Sequence, residues 1–205
     1  MFSTRTDDVY KLPDNLPIPK DDGACDHLLY KKIPELLLES TNGTLIDLSK
    51  INKPLVLFCY PRTGRPDKNP PAGWNEIPGA RGCTPQICAF RDLHYEFIKH
   101  NVIVFGLSTQ DSSYQREMQQ RLNLPFQILS DEKLEFTKKL TLPTFNVDNM
   151  TLIKRLTLIV DKHGVIQKIF YPVFPSDINA SESIKWIKNN LTFLGKNSPT
   201  STFKS

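Results

Sequence analysis

The apolar positions of this chain fall into short blocks whose spacing switches between two periods. Leu55-Val56-Leu57-Phe58-Cys59-Tyr60 is a continuous apolar run behind Pro54, the pattern of a strand covered on both faces. Val102-Ile103-Val104-Phe105-Gly106-Leu107 and the shorter Phe126-Gln127-Ile128-Leu129 read the same way. Residues 33–38 and 45–48 flank Asn42-Gly43, a dipeptide that marks a tight hairpin. Residues 152–160 and 165–171 predict a second hairpin through Asp161-Lys162-His163-Gly164. Between strands the spacing becomes helical. Ile87, Phe90, Leu93, Phe97 and Ile98 predict one helix opening at Thr84-Pro85, where proline suits the first helical position. Residues 113–122, 134–140 and 183–194 predict three more helices. Strands alternating with helices, followed by a hairpin and a last helix, predict an α/β fold: a central mixed sheet flanked by helices, with an N-terminal hairpin.

Residues 61–82 break the alternation. Five prolines and four glycines in this stretch exclude a regular element, and an ordered loop of such length is more often functional than decorative. The expected organisation is an extended, weakly packed arm over residues 1–26, one domain over 27–194 and a polar, flexible tail over 195–205.

Composition removes several function classes. The chain has 205 residues, 39% hydrophobic and 23% charged, enough for a real core. Its net charge of +4 is spread along the whole chain, which argues against a dedicated nucleic-acid binder. The longest apolar run is far below the ~20 residues needed to span a bilayer, so no membrane partner is expected. The N-terminal residues are charged and lack an apolar core, so no signal peptide is expected there. Four cysteines are too few for a disulfide scaffold at this length, and a reducing, cytoplasmic location is the expectation. His94 lies on the first predicted helix, but Cys-x4-Cys with one histidine is no zinc set. No cofactor and no metal are expected. Trp74, inside the proline-rich loop, is expected to pin that loop down.

The chemical signal is concentrated in Gly82-Cys83-Thr84-Pro85-Gln86-Ile87-Cys88-Ala89-Phe90-Arg91-Asp92. A cysteine that opens a helix sits beside unpaired backbone N–H groups and the positive end of the dipole. Both favour a thiolate over a thiol. A thiolate is what hydroperoxide reduction requires, because it attacks the O–O bond and becomes a sulfenic acid. From position alone, a small buried structural cysteine is an equal reading.

This string resembles the active-site segment of peroxiredoxins, in particular the bacterioferritin-comigratory protein or peroxiredoxin Q group. The same resemblance extends through Phe58-Cys59-Tyr60-Pro61, Gly106-Leu107-Ser108, Leu124-Pro125-Phe126, Leu129-Ser130-Asp131 and Arg155-Leu156-Thr157-Leu158-Ile159-Val160-Asp161, in order over about residues 30–171. It implies a thioredoxin-like fold and a thiol-dependent peroxidase acting on hydrogen peroxide and small organic hydroperoxides. It also implies recycling by thioredoxin or a glutaredoxin-like reductant, with the protein a monomer or dimer. By resemblance Cys83 is the peroxidatic cysteine and Arg155 the arginine that holds the thiolate and polarises the peroxide. Arg155 shares a strand face with Thr157 and Ile159 by alternation. Cys88 is the implied resolving cysteine. Five residues of helix place it ~7.5 Å along and ~140° around from Cys83, so that disulfide requires the helix start to unwind. Cys25, in the arm, and an external thiol are the alternative resolvers, and Cys59 is expected in the core.

The chain departs from the family at one place. Most peroxiredoxins carry Pro-x-x-x-[Thr/Ser]-x-x-Cys, whereas here Ala80 lies three residues before Cys83 and Glu76 seven before. Pro61-Arg62-Thr63 looks like the family's start of that motif, separated from Cys83 by an insertion around residues 65–78. Two readings follow: the loop folds back so that Thr63 supplies the hydroxyl, or backbone N–H groups at Gly82 and Cys83 serve instead. The departure also leaves room for a thioredoxin-fold redox-sensing or binding module without efficient peroxidase activity. A disulfide oxidoreductase lacks its Cys-x-x-Cys.

Overall fold

The computed structural model describes residues 7–190. The predicted tail over 195–205 and the end of the last predicted helix lie outside them. In chain order the elements open with β1 (Leu37–Ser40), β2 (Leu45–Asp47) and β3 (Leu55–Cys59), then α1 (Cys83–Asp92) and α2 (His94–Lys99). They continue through β4 (Ile103–Ser108), α3 (Ser112–Arg121), β5 (Gln127–Ser130) and α4 (Glu135–Leu140). The last part holds β6 (Thr144–Val147), β7 (Met150–Ile153), β8 (Leu156–Val160), β9 (Ile166–Phe170) and α5 (Asn179–Asn189). Seven strands form one sheet in the order β2-β1-β5-β4-β3-β8-β9, and β6-β7 stand apart. The pairs β3–β4 and β4–β5 are parallel and the others antiparallel, so the sheet is mixed, as its sequence predicts.

The apolar run of β3 occupies the middle of that sheet, and its alternation separates two cores. Leu55, Leu57 and Cys59 face one side with Leu156, Leu158 and Val160 of β8, under Phe136 and Leu140 of α4. Val56, Phe58 and Tyr60 face the other with Ile159, under Ile87 and Phe90 of α1 and Ile184 and Ile187 of α5. Successive strand side chains point to opposite faces, which is why a run with no polar residue is stable only between two covering layers. Phe58 also stacks on Phe90, ring centroids 4.3 Å apart. That contact packs α1 against β3, and Cys83 at its N-terminus shares this core with Tyr60 at the C-terminal end of the run.

The structure alters three expectations. The single helix predicted past Leu93 is two, because Leu93 (φ −97°, ψ 6°) leaves helical geometry. Its N–H still bonds to Ala89 O, 3.1 Å, and Phe97 still stacks on Phe90 at 5.7 Å. A break that keeps the apolar face leaves the periodicity intact, so it is invisible in the pattern. The strand predicted over 152–160 is also two, β7 and β8, with Lys154 and Arg155 between them. A further hairpin, β6–β7, turns through Asp148 and Asn149, both at positive φ, a conformation these short polar side chains tolerate. Finally, the arm does not pack weakly. In its described part, residues 7–26, Val9 and Cys25 are buried, and Asp22 ties the arm to Lys154 and Tyr171 at 2.8 Å each.

Candidate active site

Cys83 is the first residue of α1, and the residue before it fixes how the chain arrives. Gly82 sits at φ +104°, and a Cβ there would lie 2.3 Å from Ser176 Oγ and 2.6 Å from Leu12 Cδ2. Only glycine meets both demands. Gly82 O accepts from Ser176 Oγ (2.8 Å) and from Gln86 N (3.1 Å). With no side chain capping this helix start and no N–H on Pro85, the Cys83 and Thr84 N–H groups keep the partial positive charge of the helix end.

The Cys83 sulfur is almost enclosed. The residue is 3% exposed, its thiol lies 3.6 Å from Ala80 O, and Arg155 Nη2 donates to it at 3.2 Å. Arg155 is buried too. Its Nη2 also faces the carbonyls of Gly79, Ala80 and Arg81 at 3.1 Å each, while Nη1 donates to Gln86 Oε1. Four acceptors for two hydrogens make the sulfur one competitor among several, and a negative sulfur is the strongest of them. A buried network then fixes Gln86: its Nε2 donates to Asn179 Oδ1 (2.9 Å), which also accepts from Thr157 Oγ1 (2.7 Å). Arg155 precedes β8, yet it points to the face that alternation assigned, the one carrying Thr157 and Ile159.

Thr63 has come back to the cysteine across the inserted loop. Both line one cavity of about 80 Å³, together with Arg62, Trp74, Arg81 and Tyr114. Thr63 Oγ1 donates to Gln110 Oε1 (3.1 Å), which also accepts from Thr63 N (2.9 Å), and Tyr114 Oη donates to Thr63 O (3.1 Å). The hydroxyl hydrogen is thus committed and its lone pairs remain for a donor. Trp74 is buried against Ala80 and Leu152, and it both pins the loop and walls the cavity.

The other cysteines are placed unequally. Cys88 lies within α1, half-buried beside the core of that face, and burial is the largest influence raising its thiol pKa. With α1 intact the structure does not join it to Cys83; all four cysteines are thiols. Cys25 and Cys59 belong to the core on the opposite face of the sheet, so Cys25 is not positioned to reach Cys83. Burial, reinforced by Asp22, Asp21 and Asp26, pushes the Cys25 thiol up to about 12, and burial raises Cys59 well above the usual range. Native protein treated with iodoacetamide near neutrality is therefore expected to leave Cys25 unmodified until unfolded. Rapid labelling of Cys25, read by peptide mass mapping, would contradict this placement. His94 packs against Phe126 (5.5 Å), and burial lowers its pKa.

Sequence reading missed Gln86, Gln110, Tyr114 and Asn179. Gln86 lies inside the recognised string, three residues from the cysteine. The others carry no motif and are brought in by α3, α5 and the residues before α3.

The family model described as Redoxin matches residues 30–184. Chloroplastic peroxiredoxin Q of Triticum aestivum is 31% identical over 180 residues, covering 84% of this chain and 75% of that protein. Among solved structures, peroxidoxin BcpB from Mycobacterium tuberculosis aligns with a TM-score of 0.65 at 21% identity, over 79% of this chain and 97% of that one. Peroxiredoxin Q of Xanthomonas campestris aligns at 0.61 and 18% identity, over 86% and 98%.

Proposed function

This chain belongs to the redoxin family, in its peroxiredoxin Q-like group, and on that footing we propose that Cys83 is the thiolate that reduces the peroxide. The protein is a thiol peroxidase. The observation that carries the site assignment is the Cys83 sulfur at a helix N-terminus, 3.2 Å from a buried guanidinium, on the wall of a cavity.

The cycle follows from that geometry. A lone pair of the Cys83 thiolate attacks one oxygen of the hydroperoxide; an S–O bond forms, the O–O bond breaks, and the departing oxygen leaves as water or alcohol by taking from solvent the proton the thiol gave up on ionising. Negative charge moves from sulfur to that oxygen during the step, and the Arg155 guanidinium, which donates to the sulfur, is the cation that offsets it. Thr63 accepts the peroxide O–H on its free lone pairs and holds the attacked oxygen in line with the sulfur. Cys88 then attacks the Cys83 sulfenic acid: an S–S bond forms and the hydroxyl leaves as water. A thioredoxin-like dithiol supplies two electrons and two protons to restore both thiols. Which dithiol serves, thioredoxin or a glutaredoxin-like protein, belongs to the proposal, as do a monomeric or dimeric state and a cytoplasmic location.

Stopped-flow oxidation by hydrogen peroxide tests the assignment. The wild-type chain is expected to react rapidly and Cys83→Ser not at all; a reactive Cys83→Ser variant would remove Cys83 from the role. Thr63→Val keeps the shape and loses the acceptor. One hydrogen bond to a charged reaction centre is worth about 1.5 kcal/mol, so a loss of roughly tenfold in the oxidation rate is expected. An unchanged rate in that variant would remove Thr63 from holding the peroxide and leave that to donation from the backbone N–H groups at Gly82 and Cys83.

A further inference from the structure

The N-terminal arm reaches the active site. Val9 has no secondary structure around it, yet it is 6% exposed and lines the cavity that holds Cys83 and Thr63. Arg81, two residues before the cysteine, holds it there. The Arg81 side chain is 5% exposed and pairs with the Asp7 carboxylate. Its Nη2 donates to the carbonyl of Asp8 (2.6 Å) and to that of Lys11 (3.3 Å). These acceptors bracket Val9 on both sides along the chain. One buried guanidinium thus folds residues 7–11 into a loop with Val9 at the cavity. Leu12 closes the contact by packing on Gly82. The Arg81 carbonyl in turn faces Arg155 Nη2 (3.1 Å), so the residue that seats the arm is also part of the frame around the reacting sulfur. A buried arginine is costly unless its charge is paired and its donors are bonded. Here the arm carbonyls and a carboxylate fill them, which makes the arm a structural part of the pocket.

The cavity so enclosed measures about 80 Å³, and a single water already needs roughly 10–15 Å³ of such space. Hydrogen peroxide and a short alkyl chain fit beside the sulfur. A bulkier hydroperoxide would have to be accommodated against the lining, of which Val9 is part.

We propose that residues 7–12 are the outer wall of the peroxide pocket and that Val9 is a specificity-determining residue, seated by Arg81, which admits small hydroperoxides and excludes bulky ones. This rests on the reading that Cys83 meets the peroxide in this cavity. Arg81, which also lines the cavity, acts here as a positioning residue through the donors it gives to the arm.

The test compares second-order rate constants for Cys83 oxidation by hydrogen peroxide and by cumene hydroperoxide, measured on the full chain. The readout is the cumene-to-hydrogen-peroxide ratio, which a merely structural loss of folded protein leaves unchanged because it lowers both rates together. Removing apolar bulk from a packed pocket is worth at least about tenfold in discrimination. Val9→Gly and Arg81→Gln are each expected to raise the ratio by that factor, and Val9→Trp to lower it. A ratio within about twofold of wild type in both Val9→Gly and Arg81→Gln overturns the wall while leaving the peroxidase intact. A wild-type chain that reacts with neither peroxide overturns the peroxidase reading, and the wall falls with it.

Discussion

Arg155→Gln is expected to lower the second-order rate of Cys83 oxidation by hydrogen peroxide by roughly 10²-fold, the loss that follows from removing a charged donor worth about 2.7 kcal/mol from the reacting atoms. The guanidinium donates to the sulfur at 3.2 Å, whereas the Arg81 guanidinium in the same cavity is engaged by Asp7, Asp8 and Lys11. The same variant is expected to be less stable. Arg155 fills the carbonyls of Gly79, Ala80 and Arg81 and the side chain of Gln86, and buried acceptors left without donors cost about 1–3 kcal/mol each when water does not reach them. A net loss of about 3 kcal/mol lowers the melting temperature by ~6–12 °C for a domain of this size. Arg155→Lys separates the two roles. Lysine keeps the charge but lacks the planar fork that spans Gln86, the three carbonyls and the sulfur at once, so it recovers part of the rate and little of the stability. A rate within threefold of wild type in Arg155→Gln, by stopped flow, would remove Arg155 from the chemistry.

The second large effect concerns Cys88. Cys88→Ser is expected to slow peroxide turnover with a dithiol donor by about 10²-fold, while Cys83 is still oxidised and its sulfenic acid accumulates. The magnitude comes from tethering: a thiol on a short flexible link acts at an effective concentration of order 1 mM, against about 10 µM for an added donor. That link exists only once the start of α1 has opened, because five helical residues hold the two sulfurs apart in height and angle. The opening is local. It releases the Gly82 contacts with Ser176 and Gln86 and the Gln86–Asn179 bond, and Pro85 has no N–H to lose. It also frees Cys88 from the burial that raises its thiol pKa, so the attacking sulfur ionises more readily when it becomes able to reach. Peptide mapping after one equivalent of peroxide reads the outcome directly. A Cys83–Cys88 link is expected; a link to Cys25, or mixed disulfides alone, would assign resolution elsewhere. Cys25 is disfavoured because it lies in the core on the far face of the sheet.

Much of this molecule was legible in its sequence. The continuous apolar run of β3 has one stable environment, between two covered faces. A cysteine behind a glycine at a helix start has one local geometry, and the period-two alternation around Arg155 aims its side chain at α1 even though the residue stands just outside β8. Local sterics and periodic burial determine these features, and both are properties of neighbouring residues. What the tertiary structure alone decided depends on contacts across long sequence separations. Thr63 returns to Cys83 because Gln110 and Tyr114 hold it, 47 and 51 residues away, and no spacing rule links such positions. Val9 becomes part of a pocket because Arg81, 74 residues from its partner Asp7, needs its donors filled out of water. The sequence pointed to the cysteine proposed as nucleophile and the layer it sits on; the folded chain decided which distant polar groups surround it, because a buried charge takes its partners from whatever the fold places beside it.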